Sequence, residues 1–200
     1  MKIAVVYHSG SGHTEVLARA VARGVIEFPG VEATVLSASE APSRWEALKE
    51  AEAIVFGAPT YMGSVSAEFK HFMEATREIR GQWRDKLAAG FTNSASQSGD
   101  KLNTLIDLTV FAAQHGMHWL SLGLKAGNNS SSGSVDDLNR LGSFLGAMAQ
   151  SNADEAPEMT PPLSDILTAE FLGRRVAAIA LQFAAGRESM EKDRVAWSLG

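Results

Sequence analysis

The stretch YHSGSGHTE, residues 7–15, follows a short apolar run, IAVVY at 3–7, and leads into a helix-like run in which Leu17, Ala20, Val21, Gly24, Val25 and Phe28 share one face. A buried strand, a turn of small residues and an amphipathic helix in succession are the first half of a βαβ unit. Glycines let the backbone approach a ligand closely. Exposed amides and the helix dipole then favour an anion, and the hydroxyls of Ser9, Ser11 and Thr14 add donors. The loop contains no lysine or arginine. A Walker-type loop would need a lysine, and a dinucleotide loop a third glycine where Glu15 stands, with an acid ending the second strand where Leu36, Ser37 and Ala38 stand. A loop of small hydroxyl residues suits the terminal phosphate of a mononucleotide. Four or five charge-assisted bonds at roughly 1.5–3 kcal/mol each reach the about 8 kcal/mol of micromolar binding without a cation. The alternative is a plain polar turn capped by Ser or Thr.

Outward from this loop the alternation continues. Residues 31–36, 53–58, 87–92 and 117–122 read as further buried strands, which makes five with the first. Phe69, Phe72, Met73 and Thr76 form one helical stripe, and Leu102, Leu105, Ile106, Thr109 and Ala112 another. Ile166, Leu167, Phe171, Leu172, Val176, Ile179, Ala180 and Phe183 form a third. Such alternation predicts an α/β fold: a flavodoxin-like doubly wound, five-stranded parallel sheet of order 2-1-3-4-5 with helices on both faces. One domain is expected over 1–186, with 187–200 as a C-terminal tail; 123–134 and 150–163 read as loops.

The 200 residues are 45% hydrophobic with a net charge of −5 and no cysteine. No basic patch suits nucleic acid, and no thiolate is available for catalysis or metal binding. No apolar run nears the roughly 18 residues of a membrane span. No histidine or carboxylate cluster suggests a metal. The N-terminus lacks a signal-peptide pattern, so a cytoplasmic location is expected.

Ligands of this topology bind at the carboxyl ends of the strands, where the winding switches direction. The loop after strand three carries Pro59, Thr60, Tyr61, Met62 and Gly63, with Tyr61 and Met62 suited to packing on a ring. The loop after strand four carries Asn93, Ser94, Ala95, Ser96, Gln97 and Ser98. His71 and His118 read as structural or solvated, and Trp83 as part of an exposed connection, a substrate entrance or a subunit contact.

YHSGSGHTE, GAPTYMGSVSAEFKHFMEAT (57–76), FTNSASQSGDKLNT (91–104) and AQHGM (113–117) together resemble the flavodoxin-like NAD(P)H:quinone oxidoreductases of the WrbA type, in order and spacing over residues 1–125. The resemblance implies FMN as cofactor, NADH or NADPH as electron donor, and a quinone-like small molecule as acceptor. By it, Ser9, Gly10, Ser11, Gly12, His13 and Thr14 hold the phosphate, Pro59 to Gly63 line the isoalloxazine, Asn93 to Ser98 wrap its pyrimidine edge, and His115 approaches the flavin as the catalytic candidate. It also implies a homo-oligomer, dimer or tetramer. The chain departs from the family at Ser11, where an aromatic residue is common, in a 93–98 loop poorer in glycine, and at 141–147. A one-electron flavodoxin carrier, an FMN or azo reductase of the same fold, and a cofactor-free binding module are the rival readings. A free histidine ending an amphipathic helix is equally a cap, so for His115 that reading stands beside the catalytic one.

Overall fold

A computed structural model describes residues 1–198, and side chains through residue 190. The strands are β1 (Lys2–Tyr7), β2 (Glu32–Ser37), β3 (Ala53–Tyr61), β4 (Ser64–Val65), β5 (Leu87–Ser94), β6 (His118–Trp119) and β7 (Ala147–Gln150). The helices are α1 (His13–Val25), α2 (Trp45–Glu50), α3 (Ala67–Ala75), α4 (Lys101–Gln114) and α5 (Leu163–Ser198).

The parallel path runs β2-β1-β3-β5-β6, as the alternation predicts. The fifth position is split, however. β6 pairs only with Leu87 and Ala88 at the start of β5, while β7 pairs with Phe91 to Ser94 at its end. The chain leaves the edge after Trp119 and returns at Ala147, so one strand position is filled from two places in the sequence. The expected strand at 117–122 is therefore shortened, and Trp119 Nε1 donates to Leu145 O (2.9 Å) to close the gap. β4 folds back on β3 as a hairpin through Met62 (φ 49°) and Gly63 (φ 84°). Two successive left-handed residues match the twist of a two-residue hairpin; glycine adopts this cheaply and methionine does not.

Apolar residues line both sheet faces. Ile3, Val5, Val55 and Phe91 meet α1 and α5, through Leu17, Val21, Leu172 and Val176. Val6, Ile54 and Phe56 meet α2, α3 and α4, through Leu48, Phe69, Leu105 and Phe111. The α4 stripe is rotated from its expected phase. Leu105, Leu108, Phe111 and Ala112 are buried, whereas Leu102 and Ile106 are exposed. Trp83 is 0% exposed. It lies among Trp45, Phe56, Phe72, Phe111 and His115, with ring centroids 4.7–6.4 Å away, and is a core residue instead of part of an exposed connection or an entrance. α5 runs through Gly186 without a break, so the expected tail continues that helix; residues 199 and 200 lie outside the described residues. No described helix is long and apolar enough to cross a membrane.

Candidate functional site

Parallel pairing brings the carboxyl ends of β1, β3 and β5 side by side, with Tyr7 beside Gly57 and Pro59 beside Asn93. The loops that follow converge on a cleft of about 420 Å³. Ser9, Gly10, Ser11, His13, Thr14, Pro59, Thr60, Tyr61, Met62, Gly63, Asn93, Ser94, Ala95 and Ser96 all line it. Among the described residues no lysine or arginine does.

The first loop presents an open anion seat. Gly12 takes the N-cap position of α1 at φ 87°, and no side chain caps the helix. The first-turn amides of an α-helix have no intrahelical acceptor, so an uncapped start facing a cleft leaves donors and the positive dipole end for a ligand. Ser9 Oγ is buried with no partner among the described residues, an unusual state for a hydroxyl unless something else accepts from it. These two features are independent, and both fit a phosphate. Gly12 itself lies outside the cleft lining, packed against Pro157.

The second loop is braced from α4. Asn103 Nδ2 donates to Gly63 O (2.8 Å) and Ser64 Oγ to Asp107 Oδ2 (2.5 Å). Thr60 Oγ1 is 2.8 Å from the hydroxyls of both Thr92 and Thr104, so its side chain ties β3, β5 and α4 together beneath the cleft and its hydroxyl is already occupied. Tyr61 and Met62 stand exposed on the rim, Met62 fully.

The third loop is held from both sides. Ser151 Oγ donates to Asn93 Oδ1 (3.0 Å), Ser151 N to Ser94 O (3.1 Å) and Gln150 Nε2 to Ala95 O (3.0 Å). Behind this segment, Arg140 makes a bidentate pair with buried Asp165 (2.8 Å twice), and the same carboxylate accepts from Gln150 N (2.9 Å). Ser151 and Ala153 thereby join the cleft, with Gly99 and Asp100. Ser151 and Ala153 carry no signal of this role in sequence, because the polar stretch 150–163 has only loop character there and its position depends on the distant Arg140–Asp165 pair. Gln97 and Ser98 turn away from the cleft into an adjoining groove with Leu102, Ile106 and Phe144.

His115 is not at this cleft. It caps the far end of α4, whose 14 residues span about 21 Å at 1.5 Å each from the loop at Lys101. Its Nε2 bonds Thr76 Oγ1 (2.9 Å), and it lines a separate cavity with Lys70, Arg77, Arg80 and Gln114. Burial first, and the Arg80 charge second, hold its pKa below the ordinary imidazole value. The cap reading of His115 fits this position, and the expected approach to a flavin held in the cleft of the same chain does not. Among the described residues no group of three metal-ligating side chains is present.

Residues 1–130 match the model of a family described as NADPH-dependent FMN reductase. The chain is 44% identical over 191 residues to a protein named flavodoxin FldP from Pseudomonas aeruginosa, covering 92% of this chain and 99% of that one. It is 30% identical over 204 residues to a protein named NAD(P)H dehydrogenase (quinone) from Geobacter sulfurreducens, covering 90% of this chain and 98% of that one. A crystal structure described as a flavodoxin, WrbA-like protein from Agrobacterium tumefaciens superposes with a TM-score of 0.70 at 40% identity, over 91% of this chain and 98% of that one. With its flavodoxin-like sheet and its three-loop cleft, the chain belongs to the NADPH-dependent FMN reductase family and, within it, to the flavodoxin-like NAD(P)H:quinone oxidoreductases of the WrbA type.

Proposed function

We propose that this protein is an FMN-dependent oxidoreductase that carries two electrons from NADH or NADPH to a quinone-like acceptor by a ping-pong mechanism. The observation that carries this reading is the meeting of three loops without lysine or arginine at one cleft beside an uncapped helix start. Bound in this cleft, FMN would supply the two-electron chemistry, relaying the hydride equivalent of the nicotinamide to the quinone, whose second proton would come from solvent.

The chain supplies grip and orientation. The α1 amides with Ser9 and Thr14 donate to the phosphate, and Ser11 and His13 close around it. Pro59 to Gly63 line the ring, the Thr60–Thr92–Thr104 hydroxyl network keeping that wall rigid. Asn93 to Ser96 face its pyrimidine edge. The exposed Tyr61 and Met62 leave the rim accessible to donor and acceptor in turn. The same reading takes the protein as a cytoplasmic homo-oligomer, a dimer or a tetramer.

The 44% identical relative named a flavodoxin favours a second reading, a one-electron carrier on the same fold. Anaerobic stopped-flow separates the two. An enzyme of the proposed kind is bleached directly by NADH or NADPH and recoloured by a quinone, with parallel double-reciprocal plots in steady state. A carrier is not bleached by either nicotinamide and is reduced only through a partner protein.

A further inference from the structure

Lys101 opens α4, yet its side chain is 1% exposed. Its ammonium donates to Ser94 Oγ (2.9 Å), Ser96 O (2.7 Å) and Gln97 O (2.8 Å), all in the third loop. Three donors thus meet three acceptors, and the fold is shaped to permit it. Gly99 (φ 56°) and Asp100 (φ 54°) form consecutive left-handed residues that turn the chain back over the lysine. A β-carbon on Gly99 would lie within contact distance of Ser94 Oγ.

The charge, in contrast, is poorly compensated. Among the described residues Lys101 makes no ion pair. It also sits at a helix N-terminus, where the dipole disfavours a cation. The charged groups facing it are Asp165 of α5 and Arg140, which are committed to each other, and its exposed chain neighbour is Asp100. Burial pushes its pKa down to about 8, with Asp165 opposing and Arg140 adding to the fall. A buried, unneutralised ammonium stacked on a positive helix end raises the potential of whatever lies across the loop. Lys101 is absent from the cleft lining while Ser94, Ala95 and Ser96 are in it. The carbonyls of Ser96 and Gln97 therefore turn toward the ammonium, away from the cleft.

We propose that Lys101 is a positioning residue for electron transfer: by gathering the loop carbonyls behind the cleft and adding its charge there, it makes the third loop favour the cofactor's electron-rich, two-electron-reduced form. This rests on the placement of FMN in the cleft given above. Arginine keeps the charge and the donors, whereas methionine keeps the length alone.

The test is the two-electron midpoint potential of the FMN-loaded protein, with Kd for oxidised FMN and amide exchange over 94–98 measured alongside. In K101M the preference for reduced over oxidised FMN is expected to fall about tenfold, a shift of roughly 30 mV to more negative potential. K101R is expected to stay within threefold of the wild type. A K101M potential equal to that of the wild type overturns the proposal. Should K101M fail to fold or load, pH decides: the potential of the wild type is expected to drop below that of K101R as pH rises from 7 to 9, and coincident curves overturn the proposal. A wild-type protein that takes up no FMN sinks the cofactor placement itself, and the inference with it.

Discussion

His13 Nε2 donates to the backbone oxygen of Glu155 across 2.9 Å, a contact that fixes the tautomer of the ring and ties the first loop to the 151–162 segment. His13 is nearly buried at the start of α1, and Pro157 lies against Gly12 on the same side. The anion seat is thus roofed by a segment from the far end of the chain, which the Arg140–Asp165 pair anchors in turn.

Removing that tie tests the roof. His13→Ala deletes one hydrogen bond of about 1 kcal/mol net. Its Kd for FMN is expected to rise about fivefold, with Tm lowered only slightly. Fluorescence quenching of FMN on titration with protein reads the first quantity, and calorimetry the second.

Gly99→Ala tests the third loop through its backbone. A left-handed alanine costs roughly 1–2 kcal/mol, and its β-carbon meets Ser94 Oγ, the hydroxyl that Lys101 holds. A fall in the urea midpoint is expected, with faster amide exchange over 94–98 and little change in the first loop.

Trp83→Ala tests the core assignment of that residue. Deleting a fully buried tryptophan costs about 3–5 kcal/mol, and Phe56, Phe72 and Phe111 lose their common partner. Strong destabilisation is expected. The milder Trp83→Phe should leave the KM for quinone unchanged, which an entrance residue would not.

His115 gives the fold a pH dependence of definite sign. Its folded pKa lies below the unfolded value near 6.5. As pH falls through 6.5 the unfolded chain takes up the proton first, so stability declines with falling pH until the folded group titrates too. His115→Gln is expected to flatten the slope of unfolding free energy between pH 6.5 and 5, as measured by urea titrations at several pH values.

The β1–loop–α1 unit was legible because period and composition agree there: a strand buried on both faces, small residues that allow close approach, and an apolar helix stripe. The loops after β3 and β5 followed from topology once the alternation was read. The split between β6 and β7 was not legible, since no local pattern shows that Ala147 to Gln150 share an edge with His118 and Trp119. The phase of α4 is hidden for a related reason. Leu102 and Ile106 look as apolar as Leu105 and Leu108, and only the sheet decides which pair is covered. The role of Lys101 is not legible in sequence, because a lysine beside a polar loop ordinarily reads as solvated. Its ammonium instead folds back onto Ser94, Ser96 and Gln97 of the loop that precedes it.

The most direct measurement is calorimetric titration of FMN-free protein with FMN, for the wild type and for the double variant S9A/T14V. Uptake of one FMN per chain at micromolar Kd or tighter is expected for the wild type, weakened at least tenfold in the variant while FMN-free stability is little altered. An absence of uptake by the wild type, or equal affinity in both proteins, would contradict a flavin phosphate held by neutral donors at the head of α1.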